Sequence, residues 1–86
     1  MAEGQRHRGV LAVVLTEGGL CEVRLSDREI EVLERVAEGR SNREIGAELG
    51  LSGATVKVHL YRIGQKFRTG DRTHMVVIAM RAAIIT

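Results

Sequence analysis

The chain has 86 residues, 44% hydrophobic and 28% charged, with no Trp, no Pro, one Tyr and one Phe. That length holds one small domain around an aliphatic core, and the balance is globular rather than disordered. The net charge of +2 excludes little, but the single cysteine, Cys21, excludes an internal disulfide and a cysteine-built zinc cage, and it fits a reducing compartment.

Residues 1–8 are polar and are expected to fray. Residues 9–25, GVLAVVLTEGGLCEVRL, read as two short strands around Glu17-Gly18-Gly19, where glycine tolerates positive φ; an early helix is the alternative for LAVVL. The apolar run at residues 10–15 is shorter than a signal-peptide core and far too short to span a bilayer. A soluble cytoplasmic protein without a membrane partner is therefore the expectation.

From Ser26 the helix signals sharpen. Ser26-Asp27-Arg28-Glu29 is a capping box, with the serine capping backbone amides and Glu29 reaching back. The helix that follows puts Ile30, Leu33, Val36 and Ala37 on one face and ends near Gly39. Ser41-Asn42-Arg43-Glu44 repeats the device and opens a short second helix through Leu49, with Gly50 free to adopt the left-handed conformation that ends it. Ser52 caps a third helix, in which Val56, Leu60, Ile63 and Phe67 form a buried stripe. Asp71 caps a fourth, RTHMVVIAMRAAII.

The join between the second and third helices carries the most information. A short helix, the turn Gly50-Leu51-Ser52 and a longer basic helix match the helix-turn-helix pattern, and Gly46 lets the two helices approach closely. Residues 26–51 hold seven acids against four arginines, whereas residues 52–72 hold Lys57, Arg62, Lys66, Arg68 and Arg72 against Asp71 alone. A solvated helix face is the plain reading of such a run. Val58 argues for more. It lies among Lys57, Tyr61, Arg62 and Gln65 opposite the core stripe, where water would surround a β-branched apolar side chain. In a DNA major groove the same valine can pack on a thymine methyl.

The stretch LSDREIEVLERVAEGRSNREIGAELGLSGATVKVHLYRIGQKF, followed by DRTHMVVIAMRAAI, resembles the LuxR/NarL (GerE-type) DNA-binding domain of bacterial transcription regulators. The most specific pieces are Leu25-Ser26-x-Arg28-Glu29-x-Glu31-Val32-Leu33, Ser41-Asn42-x-Glu44-Ile45 and Thr55-Val56-Lys57-x-His59-x-x-x-Ile63-x-x-Lys66. The resemblance implies an all-α fold of four helices over residues 25–86; residues 1–24 match no known pattern and stand as an N-terminal extension that carries the expected hairpin. It also implies sequence-specific binding of double-stranded DNA, with the third helix (about residues 53–67) in the major groove and a homodimer through the fourth. RNA polymerase is a partner such regulators contact, and no cofactor is implied. Carried over by position, Lys57, Val58 and Tyr61 face bases, while Ser52, Thr55, Arg62 and Lys66 lie near phosphates. Asn42 joins the phosphate set because an amide at a helix start suits an anion, although a plain first-turn role is the alternative. The chain departs from the family pattern at Gly46, where alanine is usual, at Phe67, where leucine is usual, and in the polar link Arg68-Thr69-Gly70. Gly64 in mid-helix costs about 1 kcal/mol against alanine.

On a wheel begun at Arg72, Val77, Ile78, Ile84 and Ile85 form a second apolar side around Arg81. A domain this small covers one side of such a helix, so these residues are expected to meet a second copy. The alternative is a last turn folded back on the hairpin. His7, His59, His74 and Cys21 lack ligand-like spacing, and His59, on the shoulder of the core stripe, suits a structural hydrogen bond. No nucleophile–base pair, phosphate loop or convergent carboxylate pair occurs, so an enzyme is not expected. Two other readings stand beside the regulator. One is an antagonist that heterodimerises with related regulators; the other is a sigma region-four-like module.

Overall fold

The computed structural model describes residues 9–86, so the fraying expected of residues 1–8 falls outside it. A β-hairpin, β1 (Val10–Thr16) and β2 (Gly19–Leu25), precedes four helices: α1 (Asp27–Ala37), α2 (Asn42–Leu49), α3 (Gly53–Phe67) and α4 (Arg72–Arg81). The strands pair antiparallel in the register Val10↔Leu25 through Thr16↔Gly19. Gly19 adopts φ 101°, and Thr16 Oγ1 closes the turn by accepting from Gly18 N and donating to the Gly19 carbonyl, both at 3.1 Å.

The strand reading of LAVVL holds because alternation sends Val14 and Thr16 inward, on the same face of the hairpin as the buried Val23 and Leu25 of β2. The hairpin is thus half of a wall against α3 and α4, and its side chains enter the same core as the helices. Its outer face is unusual: Leu11, Val13, Leu15 and Leu20 are all more than half exposed.

Both capping boxes form. Ser26 Oγ accepts from Glu29 N at 3.0 Å, and Ser41 Oγ accepts from Glu44 N at 3.1 Å. Gly39 (φ 85°) ends α1 with the Arg40 N–H returning to the Arg35 carbonyl, and Gly50 (φ 73°) ends α2. At Gly46 an added Cβ would drive into the Leu51 carbonyl oxygen, so even alanine is too large for this turn. Gly64 has a similar reason. A Cβ there would stand 2.5 Å from the Thr69 carbonyl oxygen and 3.0 Å from Met75 Cε, so close packing of the α3–α4 link offsets the loss of helix propensity.

The fourth helix is shorter than its sequence pattern suggests. It ends at Arg81, and Ala83 takes the left-handed conformation at φ 59° while the Ile84 N–H reaches back to the Ala79 carbonyl. This turn brings Ile85 into the core, at the edge of a hollow that Glu34, Ala37 and Glu38 at the end of α1 also line. Ile78 and Ile85 are therefore 2% and 5% exposed inside the chain's own core. That corrects the expectation that both await a second copy: the wheel assumed a straight helix, and the chain bends. Of the same set, Val77 and Ile84 are half-buried and Arg81 is exposed.

Candidate nucleic-acid interface

The third helix sorts its residues as the periodicity requires. Val56, Leu60, Ile63 and Phe67 are buried, while Lys57, Val58, Tyr61 and Arg62 face solvent. Val58 is 48% exposed and Tyr61 66%, so neither is held by the core. Ser52 caps the helix by accepting from Thr55 N at 3.1 Å. The Ser52 and Thr55 hydroxyls stand 3.0 Å apart, so one donates to the other and one hydroxyl proton is left over.

The start of α3 abuts the start of α2. A side-chain carbon built on Gly53 would lie 3.9 Å from the backbone N and Cα of Arg43. Two helix N-termini, each the positive end of a peptide dipole, thus come together beside Asn42, Arg43, Ser52 and Thr55.

Charge pairing divides the surface. On the α1 side the arginines are matched: Arg28 with Glu31, Arg35 with Glu48, and Arg40 with Glu38 and Glu48. Among the described residues, Arg43, Lys57, Arg62 and Arg68 form no ion pair. Coulombic attraction from these cations is left for something outside the chain. Arg43 and Arg68 lie outside the contact set expected from sequence. The signal for Arg43 was available, since it follows Asn42 in the first turn of a capped helix. Arg68 takes φ 58°, and its guanidinium lies over Gly18, a placement that only the folded hairpin defines.

Lys66 is the exception within the expected set. Its Nζ donates to Glu29 Oε1 at 2.8 Å, to Glu29 Oε2 at 3.0 Å and to the Arg24 carbonyl at 2.7 Å. An ammonium has three donors, and all three are used. Glu29 is only 4% exposed and also accepts from Ser26 N, so Lys66 neutralises a buried carboxylate where β2, α1 and α3 meet. The expected phosphate contact is corrected to this structural one. Asn42 is half-buried, with its side-chain oxygen accepting from Arg72 of α4.

An open hollow of about 460 Å³ beside the reading face, bounded by Lys57, Tyr61, Arg68 and Met75, contains no nucleophile–base pair. No helix among the described residues is long and apolar enough to cross a membrane.

A capped short helix, a tight glycine turn and a second helix with an unpaired basic outer face make this a helix-turn-helix nucleic-acid-binding domain. Residues 23–79 match the profile of the "Bacterial regulatory proteins, luxR family". The chain belongs to that family of DNA-binding transcription regulators, which are not enzymes. It is 41% identical over 69 residues to the transcriptional regulatory protein LiaR of Bacillus subtilis (strain 168), covering 80% of this chain and 33% of LiaR. It superposes on the crystal structure of the response regulator ChrA of a heme-sensing two-component system with a TM-score of 0.70 at 41% identity, covering 73% of this chain and 31% of ChrA. The transcription factor GerE shares the fold, with a TM-score of 0.70 at 24% identity over 72% of this chain and 92% of GerE. The chain spans about a third of the length of relatives such as LiaR.

Proposed function

We propose that this domain binds double-stranded DNA sequence-specifically to regulate transcription, with α3 in the major groove. The observation that carries this reading is the exposed, unpaired basic face of α3 with Val58 among its cations. Lys57 and Tyr61 reach base edges, and Val58 packs on a thymine methyl or a neighbouring sugar. Arg62, Arg43, Ser52, Thr55 and the amide of Asn42 meet phosphates, assisted by the two helix N-termini. Selection from randomised duplexes followed by binding titrations tests the division of roles. Lys57→Ala is expected to relax base preference, whereas Arg62→Ala weakens all sequences alike and lowers the salt slope by about 0.9. Unchanged affinity and slope in Lys57→Ala would overturn the assignment.

A two-fold homodimer remains the reading for α4, on a smaller surface than its sequence pattern suggests. Val77, Met80, Arg81 and Ile84 keep solvent exposure on or just after α4. Two copies related by a dyad would set their α3 helices about one DNA turn apart, on an inverted repeat with half-sites about 10 bp apart. Sedimentation of the wild type against a Val77→Asp, Ile84→Asp variant tests it. A monomeric wild type filling one half-site at full affinity excludes the dimer.

A further inference from the structure

Arg72 occupies a place that its own helix does not explain. It is the first residue of α4, where the positive end of the helix dipole disfavours a cation. The adjacent N-cap, Asp71, directs its carboxylate to the Thr73 and His74 backbone amides at 2.9 and 3.2 Å. The Arg72 guanidinium instead reaches thirty positions back along the chain. Its Nη1 donates to Asn42 Oδ1 at 2.5 Å, and its Nη2 donates to the Arg40 carbonyl at 2.7 Å.

This contact has a chemical consequence at Asn42. A guanidinium only donates, so the oxygen of the Asn42 amide must face it, whichever way the amide would otherwise turn. The Nδ2 group, with two N–H donors, therefore points the other way. Among the described residues Nδ2 has no hydrogen-bond partner, and no side-chain polar atom is both buried and unpartnered, so Nδ2 is not sealed from solvent. Asn42 is the first residue of α2, whose backbone there meets the first residue of α3.

We propose that Arg72 is a positioning residue for DNA binding: it locks the Asn42 amide with its NH2 toward a DNA phosphate and ties the start of α4 to the start of α2. One N–H of each terminal nitrogen of Arg72 is engaged within the chain, which fixes the guanidinium against Asn42 and Arg40, and in this proposal it acts through Asn42. This rests on the DNA-binding reading above.

The test measures affinity of the whole chain for a selected duplex by fluorescence anisotropy over a salt series. Wild type and Arg62→Ala come first. Absence of salt-dependent binding by the wild type sinks the DNA-binding reading and this inference with it, whereas an intact Arg62 effect isolates the inference. Arg72→Met and Asn42→Ala are each expected to weaken binding about tenfold, the effect of one lost hydrogen bond to a charged group. The double variant should be no weaker than either single one. The salt slope should stay unchanged in Arg72→Met, since no phosphate contact is lost. Asn42→Asp keeps the bridge to Arg72, and with it the melting temperature, but loses the donor and binds more weakly than Asn42→Ala. Full affinity in Arg72→Met, a further loss in the double variant, or a slope reduced by about 0.9 would each overturn the proposal. Should Arg72→Met not fold, the Asn42 side-chain NH2 resonances of the wild type decide instead. They should shift on adding duplex; resonances that stay in place refute the positioning role.

Discussion

Helices α3 and α4 both carry more apolar residues than one buried stripe needs, and the chain treats the excess in opposite ways. On α3 the surplus valine stays outside among unpaired cations, because Val56, Leu60, Ile63 and Phe67 already fill the core side. On α4 part of the surplus turns inward. Ile78 is covered within the domain, and the left-handed residue Ala83 bends the chain so that Ile85 enters the core as well. An apolar side chain left in water among charges thus stays available to a partner, whereas one folded under completes the core. The two helices also differ in how they use cations: Lys66 at the inner edge of α3 serves a buried acid, Arg62 on its outer face pairs with no acid among the described residues, and Arg72 of α4 reaches back to α2.

Several substitutions would break or sharpen that contrast. The largest effect is expected from Ile78→Asp, which buries a carboxylate without a partner and should cost about 4 kcal/mol or more, comparable to the whole stability of a small domain. Circular dichroism should show loss of the fold; a folded monomer would mean that Ile78 belongs to an intermolecular contact after all.

Lys66→Met leaves the Glu29 carboxylate in the core without its ammonium. A cost of about 2–3 kcal/mol is expected, below that of a fully buried pair because the Lys66 side chain is 36% exposed. Urea titration reads the loss, and the salt slope of DNA binding should stay at the wild-type value. A lower slope at full stability would restore Lys66 to the phosphate contacts.

Val56→Ala should cost about 1–3 kcal/mol, while Val58→Ala, two residues along the same helix, should stay within about 0.5 kcal/mol. Equal destabilisation of the two in thermal unfolding would mean that α3 is rotated from the orientation described.

At the end of α4, Ala83→Gly should stabilise the domain by up to about 1 kcal/mol, because glycine enters the left-handed region without the Cβ penalty. A lower melting temperature would show that the Ala83 methyl contributes packing that outweighs its strain.

The smallest effect concerns α2, which presents α3. The Ser41 backbone amide holds the Glu44 carboxyl below the ordinary carboxylate range. A depressed folded-state pKa contributes stability that is present above the unfolded-state value and is lost as pH falls through the folded-state one. Glu44→Gln should therefore flatten the acid limb of a stability–pH profile slightly while leaving the neutral plateau otherwise level. An unchanged acid limb would mean that the capping carboxylate is not held in solution.

Much of this protein is written locally in its sequence. Both capping boxes, the Gly50 turn, the buried stripe of α3 and its basic outer face follow from hydrogen bonding and periodicity within a few residues, and the structure has all of them. The hairpin was harder to read, because Leu11, Val13 and Leu15 make its outer face nearly as apolar as its inner one and blur the alternation. Three features were decided only by the tertiary structure. Lys66 has the same charge as Arg62, and only the arrival of Glu29 and the Arg24 carbonyl beside it, across 37 and 42 positions of chain, consumes its donors. Gly64 looks like a weak point in a helix until the Thr69 carbonyl is found where a methyl group would sit. Ile85 looks like the continuation of a helix until one left-handed residue turns it into the core. Helix caps and helix faces depend on neighbours in sequence, whereas the fate of a donor, a missing methyl or a chain end depends on what long-range packing brings beside it.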